Sequence, residues 1–203
     1  MTIFIVLLTT IVSIAAFSRR ELFGKLLFSP YQVYHRREWY RLITHGLLHA
    51  DWVHLAVNMF VLFSFGGSVE YYFSAMTDMT WLKYPSVWYL VFYIMALVVS
   101  SLTTLKKHRD DVWYSSVGAS GAVSAVLFFS IFFEPHNTLL FMGIVPIKAY
   151  IFGPLYLVYS WYASRKNADN INHDAHLLGA LWGFTFPLLI DPRLITWFIG
   201  KFL

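Results

Sequence analysis

The sequence predicts an all-α, polytopic membrane protein: a six-transmembrane-helix bundle with a long semi-embedded first loop. Three observations carry this. Charged residues make up only 13% of the 203, against 58% hydrophobic and 20% aromatic, whereas an ordinary soluble domain is about a quarter charged. Six windows lack Asp, Glu, Lys and Arg, one of them interrupted by Lys148 alone. The aromatic residues gather near the ends of those windows, as they do at the two faces of a bilayer. So few charges cannot cover a globular surface, which excludes a soluble enzyme, a disordered chain and a nucleic-acid binder. The net charge of +4 is ordinary for a membrane protein. With no cysteine in the chain, disulfides, thiolate metal sites and a cysteine nucleophile are excluded.

The elements follow from the windows. A helix rises about 1.5 Å per residue, so about 20 apolar residues cross a hydrocarbon core of about 30 Å. The windows predict helices at about 1–17, 52–71, 85–105, 117–133, 146–163 and 174–191, within a single domain over 1–203. The first reads as an anchor, because Arg19 and Arg20 follow the apolar run where a signal peptide would place its basic residues ahead of it. Gly153-Pro154 predicts a kink in the fifth helix, where proline removes a backbone donor. Interfacial belts are expected from Tyr71, Tyr72, Trp81, Tyr84, Trp88, Trp113, Tyr114, Trp161, Tyr162 and Trp197. Residues 18–51 carry Arg19, Arg20, Lys25, Arg36, Arg37 and Arg41 among Leu, Phe, Tyr and Trp. A connection of that length and character is expected to fold on or into the interface. Lys148, beside Pro146, is expected to snorkel to it.

Polar groups inside a spanning segment are costly and are functional candidates by default. The second helix carries His54 and Asn58, one turn apart on one face. The fourth opens with Gly118-Ala119-Ser120-Gly121, and the sixth with Ala175-His176 followed by Gly179 and Gly183. If helices alternate in direction, all three openings lie at one membrane face and at similar depth. Taken singly, a Gly-x-Ser-Gly packs helices, a histidine at a helix start bonds a neighbour, and an asparagine glues helices together. Those readings do not account for order, depth and side at once.

The constellation fits acyl transfer. A serine hydroxyl becomes a competent nucleophile when a base takes its proton, and an imidazole can do so. Gly179 and Gly183 make a smooth face below His176, and Gly121 and Ala125 one on the fourth helix. Close approach of the two backbones would bring His176 to Ser120. His54 and Asn58 can then donate N–H groups to the oxyanion beside the Ser120 backbone N–H. Asp174, two residues before His176, points to the opposite face, which leaves a Ser–His dyad. His173 is the alternative base; it lies nearer the surface and lacks the glycine face. His45 and His49 read as loop anchors, and Arg41 as a holder of the first loop through backbone carbonyls or headgroups.

These residues resemble the rhomboid family of intramembrane serine proteases, over nearly the whole chain from about residue 30. The run Glu38-Trp39-Tyr40-Arg41-Leu42-Ile43-Thr44-His45-Gly46-Leu47-Leu48-His49 is similar to the family's first loop. His54-x-x-x-Asn58 and Gly66-Gly67-x-x-Glu70 are similar to its second helix, Gly118-x-Ser120-Gly121 to its nucleophile motif, and Ala175-His176-x-x-Gly179-x-x-x-Gly183 to its base motif. The resemblance implies Ser120 as nucleophile, His176 as general base, and His54 and Asn58 as oxyanion donors with backbone help at Ala119 and Ser120. It implies a six-helix bundle with a water-filled cavity at the catalytic face, and neither cofactor nor metal. It also implies single-span transmembrane protein substrates, cut in or near a segment with helix-destabilising residues. Position 124 departs from the pattern, being Ser where some members carry Tyr against the imidazole, which leaves His176 either held less tightly or held by another aromatic. The chain reads as a minimal catalytic core of bacterial type, in the inner membrane.

Orientation draws opposite expectations. Eleven of the 15 Lys and Arg fall in the loops on the catalytic side, which the positive-inside rule would place in the cytoplasm. The resemblance implies an active site facing the extracytoplasmic side, and that is the expectation adopted. Two rivals remain. A non-catalytic relative would bind transmembrane helices without cutting them, but such relatives typically lack the serine or the histidine kept here. A membrane metalloprotease could use His45 and His49, but Gly46-Leu47-Leu48 between them lacks the glutamate base.

Overall fold

The computed structural model describes residues 1–77, 83–141, 143–166 and 171–203; Trp81 lies outside them. The chain is mostly helical. The charge-free windows lie on helices α1 (Thr2–Phe17), α5 (Trp52–Thr77), α6 (Pro85–His108), α7 (Ser120–Phe133), α8 (Ala149–Lys166) and α9 (His173–Ile190). Between α1 and α5 come three short helices, α2 (Arg20–Leu26), α3 (Pro30–Arg36) and α4 (Arg41–Thr44), then a 3-10 turn over His45–Leu47; α10 (Leu194–Ile199) follows α9. By length and composition α5 and α6 are long and apolar enough to cross a bilayer, while α1 and α7 are shorter apolar helices.

α7 is the hub. Every residue from Gly121 to Phe133 is buried, and it packs against α5, α6, α8 and α9. One face of the hub meets a phenylalanine cluster with one member per helix. Phe129 lies 5.1 Å from Phe73 of α5 and 5.2 Å from Phe92 of α6, and Phe186 of α9 closes the group 4.9 Å from Phe92. These tilted and offset ring contacts are the favourable ones.

The outer helices are built the other way round from those of a soluble bundle. α1 buries Thr2, Ile5, Thr9, Ser13 and Ala16, a stripe at helical spacing made mostly of small and hydroxyl residues. Its large side chains, Ile3, Phe4, Leu7, Ile11 and Ile14, are exposed, as are Val57, Phe60 and Phe63 of α5 and Leu155, Val158 and Trp161 of α8. Large apolar side chains exposed at this spacing suit a fold whose solvent is hydrocarbon. Gly66 receives the Thr2 side chain, and Glu70 accepts the Thr2 N–H at 2.6 Å, so the Gly66–Glu70 run docks α1 on α5.

The structure adds one short hairpin to this mostly helical fold. Thr138–Phe141 and Val145–Lys148 form an antiparallel hairpin, with Thr138 opposite Lys148 and Phe141 opposite Val145. Its turn contains Gly143 at φ +75°. Val145 and Ile147 favour extended backbone, and Pro146 has no N–H for a helix to use. α8 therefore begins at Ala149 instead of 146, and Lys148 donates to the His136 carbonyl at 2.9 Å. Pro154 sits inside α8, in its second turn. Three C-terminal boundaries also move: α5 runs on to Thr77, α6 to His108 and α8 to Lys166.

Residues 18–51 are folded, with Arg41 at their centre. Its side chain is buried; Nη1 donates to the carbonyls of Gly24 and Leu27, and Nε to Glu38 Oε2. That bond holds the Glu38 carboxyl below its usual range, outweighing the opposing effect of burial. A bridge between Phe28 and Ser116 ties the segment to the stretch ahead of α7. Of the belt residues, Trp113, Tyr84, Tyr71, Trp161 and Tyr162 are exposed, whereas Tyr72 stacks on Phe133 at 4.2 Å and donates to Glu134.

Candidate active site

Three helix starts converge. His54 is the third residue of α5, Ser120 the first of α7 and His176 the fourth of α9. α7 begins three residues later than the predicted 117, because Gly118 has φ +124°, in the left-handed region no helix can include. The first N–H groups of a helix have no intrahelical acceptor. With Ser120 as the first helical residue, its backbone N–H belongs to that unspent set, at the positive end of the helix dipole.

Backbone contact brings α7 and α9 together. A methyl group at Gly179 would land on the Gly121 carbonyl oxygen, and one at Gly183 on that of Ala125. At the upper end of the seam, a Cβ at Gly121 would lie 3.2 Å from the Ala175 carbonyl oxygen. Ser120 immediately precedes Gly121, and His176 immediately follows Ala175. The two candidate groups thus flank the closest approach of their helices.

His54 comes in from α5. A Cβ on Gly118 would lie 2.8 Å from His54 Cε1 and 3.1 Å from Nε2, so the ring edge rests on the turn that presents Ser120. The Ala50 N–H donates to His54 Nδ1 at 3.4 Å, which puts the proton of the neutral ring on Nε2, the nitrogen beside that turn. Asn58 is buried, and one of its amide N–H groups goes to the His54 carbonyl at 2.8 Å. One amide N–H then remains for a ligand.

The other histidines have separate duties. His45 bonds Ser101 of α6 through Nε2 at 3.1 Å and accepts the Gly118 N–H on its carbonyl. Ser13 of α1 donates to the Leu47 carbonyl, so His49 Nδ1, 3.0 Å away, must be the donor in that pair. Both anchor the first loop, to different helices. Among the described residues, no three His, Cys, Asp or Glu side chains form a group that could hold a metal ion. Asp174 pairs with Lys107 of α6, away from His176. Asn172 caps α9 by accepting the Ala175 N–H, and donates to Thr104, so α6 sets the position of the α9 start. His173, the first residue of α9 and three before His176, is buried, with its ring 5.6 Å from that of Tyr159.

Burial pushes the imidazole of His45 down to about 4 and that of His49 to about 3, the latter also opposed by His54. The folded protein keeps both neutral, while the unfolded chain protonates them near pH 6.5. Their contribution to stability is therefore present above about pH 6.5 and is lost progressively as pH falls from there towards about 3. The unfolding temperature should drop across that interval, and should drop less in the double variant His45→Gln/His49→Gln.

A sequence profile of the Rhomboid domain matches residues 36–193. The chain belongs to the rhomboid family. This rhomboid is 29% identical over 143 residues to RHOMBOID-like protein 12, mitochondrial, of Arabidopsis thaliana, covering 68% of this chain and 43% of the relative. It is 27% identical over 147 residues to Rhomboid protease GluP of Bacillus subtilis (strain 168), covering 72% of this chain and 25% of that relative. The chain thus matches less than half the length of either relative. Membership makes this rhomboid an integral membrane protein, in keeping with its apolar exterior.

Sequence reasoning overlooked one neighbour of the site. Tyr156 of α8 stacks on His176, with ring centroids 6.4 Å apart and planes 23° apart. A tyrosine in an apolar helix gives no signal of its own; only the missing aromatic at Ser124 hinted at a substitute.

Proposed function

We propose that this rhomboid is an intramembrane serine endopeptidase that cleaves transmembrane segments of single-span membrane proteins. The observation that carries the reading is the backbone-to-backbone crossing at Gly121 and Ala175, which Ser120 and His176 flank. Ser120 Oγ attacks the scissile carbonyl while His176 accepts its proton. The oxyanion is met by the Ser120 N–H, by His54 Nε2–H and by the remaining Asn58 N–H. His176 returns the proton to the leaving amine, and water then releases the acyl group from Ser120 in the reverse sequence. No cofactor enters this scheme. A segment that unwinds easily would present an extended backbone to the site.

The same reading takes α1, α5, α6, α7, α8 and α9 as six crossings and 18–51 as the interfacial loop. It places the site at the extracytoplasmic side of a bacterial inner membrane. With no native cysteine, single-cysteine labelling reports the side directly. Trp113→Cys should react with a membrane-impermeant maleimide in intact cells, and Ile144→Cys should react only after lysis. The converse pattern reverses the orientation.

The deciding experiment is reconstitution in liposomes with a fluorescent fluorophosphonate and a generic transmembrane substrate. Labelling and cleavage together support the protease. A folded protein that neither labels nor cleaves, yet binds transmembrane helices, would be a non-catalytic relative. Asn58→Ala should lower kcat about a hundredfold without abolishing it, because removing one oxyanion donor leaves the others in place.

A further inference from the structure

We propose that Tyr156 is the positioning residue for His176, supplying from α8 the aromatic wall that Ser124 cannot. The inference rests on the Ser–His reading of the site. His176 stands above the glycine face of α9, where Gly179 and Gly183 offer it no lateral support. The Tyr156 ring lies alongside it, nearly parallel, an arrangement that favours one rotation of the imidazole and tolerates its positive charge.

The tyrosine is itself fixed at its far end. Its hydroxyl is 2.6 Å from Ser124 Oγ, and Ser124 is buried in α7. Ser120 and Ser124 are one turn apart on the same face of that helix. The nucleophile and the tether of the ring that steadies the base therefore share one rigid strip of α7. Phe128, one further turn along, meets the Tyr156 ring at 5.4 Å. His173 meets His176 only edge-on, at 5.8 Å. Ser124, which looks like the loss of an aromatic, is the hydrogen-bond partner that lets an aromatic from another helix take over.

The test uses the full chain in liposomes, with fluorophosphonate labelling and the cleavage kinetics of a transmembrane substrate. Tyr156→Leu should lower kcat about tenfold with KM changed less than about twofold, since misplacing a base slows the chemical step more than binding. Tyr156→Phe keeps the ring but frees it from Ser124 and should cost about threefold, as should Ser124→Ala. The exchange of Tyr156→Ser with Ser124→Tyr returns an aromatic to the imidazole and should recover most of the lost kcat. A folded Tyr156→Leu with wild-type kcat, or a loss confined to KM, would overturn the inference while leaving the dyad standing. If Tyr156→Leu does not fold, wild-type kcat in both Tyr156→Phe and Ser124→Ala overturns it. A wild-type protein that neither labels nor cleaves overturns the dyad reading, and this inference with it.

Discussion

Alanine at Ser120 should abolish covalent labelling by a fluorophosphonate, and alanine at His176 should reduce it, with substrate cleavage, by about a thousandfold or more. Without its hydroxyl the site has no atom to bond the phosphorus. Without the imidazole the hydroxyl keeps its proton and reacts little better than water. The two groups work as a unit, so the double variant should be no worse than the weaker single one. His173→Ala is the discriminating control. It should retain activity because His173 lies at the first residue of α9, against Tyr159, one turn from the closest approach of α7 and α9. Full activity in His176→Ala together with loss in His173→Ala would transfer the role of base to His173. Thermal unfolding of each variant shows that the loss is chemical.

A single methyl group at Gly179 should be nearly as damaging. It has no room, since it meets the Gly121 carbonyl oxygen, carbon and Cα, all rigid backbone atoms of the hub helix. The seam must open, and Ser120 and His176 lie at its upper end. Displacing reacting groups by about 1 Å costs about a hundredfold in rate, so Gly179→Ala should lose about that in kcat and lower the unfolding temperature. Gly183→Ala should behave alike against Ala125. Gly67→Ala is the control, for nothing lies within 4 Å of where its methyl would go. Equal activity in Gly179→Ala and Gly67→Ala would mean that the seam does not set the site.

What the sequence made legible follows from the solvent. An apolar solvent imposes the absence of charge on a helix directly, and α1, α5, α6, α7, α8 and α9 all lie on charge-free windows. The glycine face beneath His176 foretold the close approach to α7, and Arg41 foretold its own carbonyl partners. Where backbone geometry decides, composition was silent. The charge-free run from Pro135 hides a hairpin, because hydropathy does not distinguish an extended segment from a helix. The start of α7 slipped by three residues because the positive φ of Gly118 shows only in the folded chain. His54 was visible as a polar residue in an apolar helix; the proton on its Nε2 depends on Ala50, a residue with no side-chain chemistry. Tyr156 was hidden because what matters is its neighbours on two other helices.

The inward stripe of α1 reverses the usual relation between grease and grip. On the proposed six-crossing reading, hydrocarbon wets Ile3, Leu7 and Ile11 as readily on one side of the helix as on another, so apolar character would keep α1 in the bilayer without choosing its rotation. The choice falls to hydroxyls near its two ends: Thr2, seated on Gly66 and bonded to Tyr89, and Ser13, bonded to Leu47 and His49. They act as two keys in one lock. An α1 whose keys were cut to alanine would still lie in lipid but could swivel. The first loop, which hangs from Ser13 and reaches through His45 to the Gly118 turn, would lose its bearing with it.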